Sequence, residues 1–411
     1  MSASAQDDSW SDTEWDDDWG KAETQWQQSG FIELAYGHRL ESDVLFEEQQ
    51  TLSDLRWHQE FDYQHDAFYF SWAHDVWYDG VLTQWQLDLR ELNIQFSVFD
   101  NTDFKIGRQI TTWGTGDLLF INDLFPKDWV SFFAGRDDNY LKAPADTIRI
   151  TSYLKPINLD LVITPTAEPS RFINGERFSL FSPFLGTQIG GKEVVNPKNS
   201  THTEIALRLF KNIKGHQLAF YGYQGTEKSP TAIDDNNDAF FPKKRVLGAS
   251  YQAAVSQGIF NVEVGYHHSK QDNNGDNPLV PNSQWRALLG YNKELIKKLN
   301  WGLQLYLEHT QDHTALINHS LNPQFEPVQN RHVITNRLTY QALQDKLSWS
   351  LFVFYSPSDE DSYWRPSVNY RYNDNLSYSL GASIFKGQKA HTFFGQFEDA
   401  SNVYFRLRYT Y

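Results

Sequence analysis

The amino-acid sequence predicts an all-β protein: a closed antiparallel transmembrane β-barrel of about 18 strands, within a range of roughly 16 to 20. Three observations lead to this fold class. Apolar and polar residues alternate along the predicted strands, most of these strands have ten or more residues, and the links between them are alternately short and long. The predicted strands are 30–40, 53–64, 66–78, 83–98, 103–113, 146–155, 157–166, 201–213, 216–226, 244–256, 259–270, 284–297, 299–312, 332–345, 347–356, 363–373, 375–386 and 402–411.

The alternation has a period of two. In residues 299–309, Trp301 and Leu303 lie on one face, whereas Gln304 and Glu308 lie on the other. Successive side chains of a strand point to opposite faces, so this pattern predicts strands with one apolar face. Strands of soluble proteins have about 5–6 residues, whereas tilted membrane strands need about 9–11. The predicted lengths therefore favour strands that cross a membrane.

The links predict the orientation of the barrel. Short turns, such as those at 65–66 and 214–215, are mostly followed by longer links, of which 114–145 and 167–200 are the longest. Outer-membrane barrels have short periplasmic turns and long extracellular loops. We therefore expect both long loops on the outer side, and an even strand number places both chain ends on the periplasmic side.

The last predicted strand reads NVYFRLRYTY and ends on Tyr411. A final aromatic residue on an alternating strand resembles the signal by which barrels are handed to their assembly machinery. On this strand Arg406 and Arg408 share the polar face, so we expect both side chains to point into the lumen.

Composition excludes several classes of function. The net charge of −16, from 52 acidic and 36 basic residues, disfavours a nucleic-acid partner. No run approaches the roughly 20 apolar residues of a membrane-spanning helix. No catalytic signature and no metal-ligand spacing stands out, so we expect no enzyme activity, no cofactor and no metal site. The start, MSASAQDDSW, lacks a signal peptide, and we expect that one has been removed from a protein of the Gram-negative outer membrane.

An acidic arm precedes the barrel. Residues 1–28 contain the run DDSWSDTEWDDDW, which has no strand or helix period, and residues 29–411 form the predicted barrel. Large aromatic side chains dominate many binding sites, so Trp10, Trp15 and Trp19 are candidates for binding a partner. A plain disordered tail and a segment that enters the lumen are the alternatives.

Two irregularities interrupt the alternation. The apolar face of 83–98 changes parity at Arg90 and Glu91, which predicts a β-bulge there. Arg108 has the parity of apolar Ile106, and a charge that faces mid-bilayer lipid costs roughly 2–4 kcal/mol. We expect a bulge at Gly107 that turns Arg108 inward, towards a carboxylate of loop 114–145.

Loop 114–145 combines aromatic and charged residues. A loop with this much apolar surface is not expected to lie open in water, so we expect it to fold into the lumen, or else to pack over the mouth of the barrel, and to bury its aromatic side chains. Its charges would then form a constriction that sets what passes. A plug held down by ion pairs is the alternative. The candidates for the lumen and constriction are Arg108, Asp117, Asp123, Lys127, Asp128, Arg136, Asp137, Arg406 and Arg408.

The run LRELNIQFSVFDNTDFKIGRQITTWGTGDLLFINDLFPKDW resembles a family of Gram-negative outer-membrane barrels with a GRQ…WG…ND…P-x-D motif. Its members are often encoded beside RND-type (MMPL-like) exporters and lipoprotein-carrier-like periplasmic proteins. The matching positions are Arg90, Glu91, Gly107, Arg108, Gln109, Trp113, Gly114, Asn122, Asp123, Pro126 and Asp128. The resemblance implies an outer-membrane component of an export or lipid-transfer system.

Two functions follow as expectations. The first is an outer-membrane channel or transporter, within a trans-envelope system that moves an amphipathic or lipid-like solute. The second is a plugged structural barrel that docks a periplasmic or surface partner. The expected partners are outer-membrane lipid and lipopolysaccharide, together with a periplasmic carrier or RND-type exporter.

Overall fold

The structure is a computed structural model that describes residues 26–411. An 18-stranded antiparallel sheet closes on itself through the pairing of its first and last strands, from Phe31 opposite Thr410 to Arg39 opposite Asn402. The predicted fold class is confirmed. The strands are β1 Trp26–Arg39, β2 Gln50–His65, β3 Phe68–Asp79, β4 Gln84–Phe99, β5 Thr102–Gln109, β6 Ala145–Ser152, β7 Asn158–Thr164, β8 Glu204–Ile213, β9 His216–Thr226, β10 Lys243–Val255, β11 Gly258–Ser269, β12 Gln284–Ile296, β13 Leu299–Thr310, β14 Asn330–Ala342, β15 Leu347–Ser356, β16 Asp361–Arg371, β17 Leu376–Gly387 and β18 Asn402–Thr410.

The two rims of the barrel differ. One rim carries the short turns and also the start of β1 and the end of β18, and we call it the turn rim. The other, the loop rim, carries the long links, including residues 110–144 and 165–203. In the part of the chain that the structure describes, two short α-helices lie in links of the loop rim: α1 Trp129–Ala134 and α2 His313–His319. Three 3-10 turns, Asp138–Leu141, Pro323–Phe325 and Gly395–Ala400, and two small hairpins, Leu180–Ser182 with Thr187–Ile189 and Ala232–Ile233 with Ala239–Phe240, lie in the same links.

Within residues 26–411, no helix is long and apolar enough to cross a membrane.

The outer face of the barrel wall is apolar, whereas most charged side chains of the strands point inward. On β1, Ile32 and Leu34 are 45% and 51% exposed, whereas Glu33 between them is 2% exposed. A water-soluble barrel would bury the leucine and expose the glutamate, because apolar surface is driven out of water. The observed arrangement is that of a barrel surrounded by lipid.

The predicted bulge in β4 is confirmed. Ala73 pairs with Glu91 and His74 pairs with Leu89, so Arg90 is the extra residue between two ladder positions. The extra residue keeps Arg90 and Glu91 on the inner side and explains why the apolar parity changes there.

The expectation for Arg108 is wrong in two respects: the side chain does not turn inward, and its carboxylate partners do not come from loop 114–145. The pairing of β5 with β6 runs without a shift from Thr102 to Gln109, so no bulge at Gly107 turns Arg108 inward. Arg108 keeps the outward parity of Ile106 and lies near the loop rim. There it forms ion pairs of 3.1 Å with Asp146 and 3.2 Å with Glu168. The charge is tolerated outside because it has carboxylate partners at the rim, away from the middle of the apolar band.

Candidate functional site in the barrel lumen

Residues 110–144, which we call the lumen loop, cross the interior of the barrel. Its contacts reach inward-facing residues on opposite walls: Asp54 of β2 and Glu263 of β11, and also Arg337 of β14 and Arg406 of β18. A loop that rested on the rim could not contact all of these strands. The lumen loop is therefore the element that decides how much of the lumen remains open.

The helix α1 seats the loop through its aromatic side chains. Asp128 caps α1 by accepting a hydrogen bond of 2.7 Å from the backbone N–H of Ser131. Phe133 packs with ring centroids 5.0 Å from Phe385 and 5.0 Å from Phe397. At the other end Gly135 has φ +85°, and the ring of Tyr404 leaves no room there for a Cβ. Glycine is therefore needed for both the turn and the packing.

The first part of the lumen loop is held by one carboxylate. Glu263, 1% exposed, accepts hydrogen bonds from the backbone N–H groups of Thr115 and Gly116. Its other oxygen accepts a bond of 3.1 Å from Asn122 Nδ2. A buried carboxylate needs such donors because it has lost its water. The three bonds fix the loop against β11.

A buried ion-pair group fastens the end of the lumen loop to β2 and β3. Arg136 Nε lies 2.7 Å from Asp54, and Arg136 Nη2 lies 3.3 Å from Asp79. Arg177, which comes from link 165–203, also pairs with Asp79, and the Tyr140 hydroxyl donates to Asp75 at 2.7 Å. We call this group the anchor network, with members Asp54, Arg56, Asp75, Asp79, Arg136, Tyr140 and Arg177.

The carboxylates around Arg136 keep its guanidinium group ionised. Burial lowers the pKa of Arg136, but the surrounding carboxylates, chiefly Asp54, together outweigh burial and raise that pKa above its ordinary value. The side chains of Asp54 and Arg136 are only 1% and 6% exposed. Charges this well buried are stable only while every partner is present.

A second ion-pair group faces a cavity. Four arginines point inward from three alternate strands, and carboxylates of the lumen loop lie opposite them. We call the four the arginine face: Arg337, Arg365, Arg406 and Arg408. The cavity beside them has a volume of about 210 Å³ and is lined by polar side chains, including Ser350, Ser367 and Asn369.

The carboxylates opposite the arginine face are Asp117, Asp137 and Asp138. Asp117 lies 2.7 Å from Arg337, and Asp138 lies 2.7 Å from Arg365. Burial raises the pKa of Asp117 above its ordinary value, and Arg337 only partly offsets this.

Asp137 is shared by two arginines, because Arg406 lies 3.1 Å and Arg408 3.2 Å from its carboxylate. Burial would raise the pKa of Asp137, but these two arginines outweigh burial and hold the pKa below its ordinary value.

The structure separates the predicted site residues into groups. Asp117, Asp137, Arg406 and Arg408 meet at the arginine face, and Arg136 belongs to the anchor network. The remaining three loop residues are structural. Asp123 and Lys127 pair at 3.0 Å and are both buried, and Asp128 caps α1 and pairs with Arg171.

The remaining predicted site residues are Arg108 and three tryptophans. Arg108 lies outside the lumen, as described above. Trp10, Trp15 and Trp19 lie outside the described residues. Two residues of the arginine face, Arg337 and Arg365, were not among the sequence candidates. Both arginines lie on the polar face of a predicted strand, and this signal could have found them.

Solved structures share the fold. The chain is similar to the crystal structure of Acinetobacter baumannii OccAB4 at 11% identity and a TM-score of 0.56, with 94% of this chain and 98% of that chain covered. The crystal structure of Acinetobacter baumannii OccAB3 is similar at 12% identity and a TM-score of 0.55, with 94% of this chain and 99% of that chain covered. The crystal structure of Pseudomonas aeruginosa OccK2 in complex with glucuronate is similar at 11% identity and a TM-score of 0.54, with 94% of this chain and 97% of that chain covered. No protein-family model and no curated protein sequence matches the chain.

The chain folds as a transmembrane β-barrel. At these identities the likeness is one of fold, and it extends over nearly the whole of each chain. The residues of the lumen therefore have to be interpreted from their own geometry.

Proposed function

We propose that this protein is a channel of the Gram-negative outer membrane, and that it serves as the outer-membrane component of a trans-envelope system for an amphipathic solute. One observation carries the proposal: Arg337, Arg365 and Arg406 line a polar cavity inside the barrel and face carboxylates of the lumen loop. Opposed rings of charge across a narrow lumen select ions and polar solutes.

The arginine face is built for transient binding. The Asp138 carboxylate is 56% exposed and the Asp117 carboxylate 36% exposed, so water reaches these ion pairs. Hydrated ion pairs are weak, commonly about 0–1 kcal/mol each. An anionic group that enters the cavity can therefore take the place of a loop carboxylate on an arginine.

Aromatic rings beside the arginines favour a solute with an apolar part. The guanidinium of Arg365 lies 3.9 Å from the ring centroid of Phe132, and that of Arg337 lies 4.6 Å from the ring centroid of Phe352. A guanidinium group that stacks on an aromatic ring can still donate hydrogen bonds from its edge to an anion. Arginines next to aromatic rings suit a solute with an anionic head and an apolar body better than they suit a sugar.

A plugged barrel that docks a partner is the second candidate. The anchor network favours it, since Arg136 is buried between Asp54 and Asp79 and holds the lumen loop across the lumen. A periplasmic carrier or RND-type exporter remains the proposed partner, and outer-membrane lipid and lipopolysaccharide the proposed surroundings. Deletion of residues 7–19 tests the docking role: loss of a co-purifying partner at unchanged conductance supports it, and higher conductance indicates instead that the arm enters the lumen.

Conductance of the purified protein in planar bilayers distinguishes the two candidates. A channel gives discrete current steps, and Arg406→Gln lowers its preference for anions. Lys211→Gln, on β8 away from the arginine face, is the matched control and leaves the preference unchanged. A protein that conducts no ions, with or without the substitution, contradicts the channel proposal and supports the plugged barrel.

A further inference from the structure

A groove interrupts the outer wall of the barrel across β14 to β18. It has a volume of about 480 Å³, within the range of roughly 300–1,000 Å³ that is typical of small-molecule sites. Its lining is almost entirely apolar and comes from outward-facing side chains. These include Leu338, Tyr340, Trp349, Leu351, Pro366 and Val403.

The floor of the groove is a weak seam between β16 and β17. Trp364 pairs with Ile384 and Ser367 pairs with Gly381, but the two ladder positions between them are unpaired. Pro366 causes the gap, because proline has no N–H to donate to the ladder. Proline within a sheet is otherwise confined to edges and bulges, so its place inside a closed barrel marks the seam as unusual.

The groove and the lumen cavity lie on opposite faces of the sheet at this seam. Of the unpaired residues, Pro366 and Ala382 line the groove, and Arg365 lines the cavity. On the lumen side the cavity contains Arg337, Arg365 and Arg406. An apolar groove and a cationic cavity are therefore separated only by the thickness of the sheet, at the place where the sheet has lost hydrogen bonds.

We propose that the β16–β17 seam is a lateral portal, and that groove and cavity together bind a fatty carboxylate with its chain in the groove and its head on the arginine face. The inference rests on the proposed amphipathic solute and names its class and route. A carboxylate matches the planar fork of a guanidinium group. Arg365 donates to Asp138 and Arg406 to Asp137, and each guanidinium has further N–H groups to offer.

The carboxylate head of the fatty acid, and not its chain, determines which amphiphile binds. Lipid tails are as apolar as the groove, so the chain gains little by leaving the bilayer. The carboxylate head takes the place of a weakly held loop carboxylate on a guanidinium group, so its negative charge and its planar fit decide whether it binds. An amphiphile with the same chain and a cationic head should therefore be rejected by the arginine face.

Quenching of Trp349 tests the site. Trp349 lines the groove and is 52% exposed, so a brominated chain seated there quenches its fluorescence. The full-length protein is placed in phosphatidylcholine vesicles with brominated palmitate or with a brominated alkyltrimethylammonium ion of equal chain length. The Trp349→Phe variant isolates the Trp349 signal. We expect palmitate to quench Trp349 at concentrations at which the ammonium ion does not.

Two outward-facing alanines supply a matched pair of variants. Ala382→Leu fills the groove and should abolish the palmitate quenching. Ala249→Leu, on β10 outside the groove, should leave it unchanged. Equal quenching by the two amphiphiles, or unchanged quenching in Ala382→Leu, overturns the binding site.

A disulfide lock tests the portal. The chain has no cysteine, so Asn369→Cys with Ser379→Cys creates a single pair. These residues lie opposite each other on β16 and β17, and Ser379 donates a 2.6 Å hydrogen bond to Asn369. Opposite residues of antiparallel strands are close enough for a disulfide. The control lock, Thr102→Cys with Ser152→Cys, joins β5 and β6.

With the β16–β17 lock oxidised, we expect the preference for palmitate over the ammonium ion to vanish, and reduction should restore it. The oxidised β5–β6 lock should keep the preference. A preference that survives the β16–β17 lock overturns the portal. Quenching requires no ion flow, so it is decided separately from the channel proposal: a non-conducting protein that still prefers palmitate would contradict the channel and support the portal.

Discussion

The anchor network and the arginine face contain the same kinds of side chain but differ in their access to water. In the anchor network, the carboxylates of Asp54 and Asp79 and the guanidinium of Arg136 are all less than one-tenth exposed. At the arginine face, Arg365 is equally buried, but its partner Asp138 is 56% exposed. Buried pairs cannot exchange partners without leaving a charge uncompensated, whereas hydrated pairs can. The first group therefore fixes the lumen loop, and the second can respond to a solute.

The largest effect should come from breaking the anchor network. Arg136→Ala leaves Asp54 and Asp79 with fewer cationic partners inside the barrel, and loss of one partner of a buried pair costs about 3–5 kcal/mol. We expect a lower midpoint of urea unfolding and a higher single-channel conductance, because the loop end is released. Lys198→Ala removes an exposed pair with Asp234 and should change neither. An unchanged conductance in Arg136→Ala would show that the network does not hold the loop in place.

A smaller effect is expected at the start of the lumen loop. Glu263→Gln keeps one acceptor for the backbone of Thr115 and Gly116 but turns the other oxygen, which accepts from Asn122, into a donor. A buried donor without a partner costs about 1–3 kcal/mol. The measurements are unfolding in urea and the rate of proteolysis within residues 110–144. Glu294→Gln, exposed near the turn rim, should behave as wild type, and a Glu263→Gln protein of wild-type stability would contradict the role of this carboxylate.

A lower pH should change the ion preference of the channel through the carboxylates opposite the arginine face. Protonation of a loop carboxylate removes a negative charge, so the preference for anions should rise as pH falls. The pKa of Asp117 is raised and that of Asp137 is lowered, so as pH falls Asp117 should lose its charge before Asp137 does. Reversal potentials measured against pH check this order. Asp117→Asn should remove the first step and Asp137→Asn the second, and a single step common to both variants would contradict the assignment.

The smallest effect is expected at Arg108, outside the lumen. Its partner Asp146 has a side chain that is 69% exposed, and such surface pairs contribute roughly 0–1 kcal/mol. Arg108→Ala should therefore leave conductance and ion preference unchanged. A changed conductance would place Arg108 in contact with the conduction path and contradict its outward position.

The strands of the barrel wall were predicted well from the sequence, because the residue pattern within each strand is enough to identify it. A period of two with a long apolar face specifies a membrane strand without reference to its neighbours. The same parity argument located the bulge at Arg90, where an extra residue must be absorbed. It did not locate the position of Arg108, since a charge with outward parity can stay outside when carboxylates from other segments reach it at the rim.

The alternation, the number of strands and the apolar character of residues 110–144 follow from the local order of the amino acids. Which charges meet depends on the closed barrel. Arg136 and Arg406 were both predicted to be charges of the lumen, yet one is enclosed by β2 and β3 and the other borders a cavity. Burial and the identity of a partner are set by strands far apart in the chain that closure of the barrel brings together. These long-range contacts, and not the local pattern, determine whether an ion pair fixes the loop or remains free to bind.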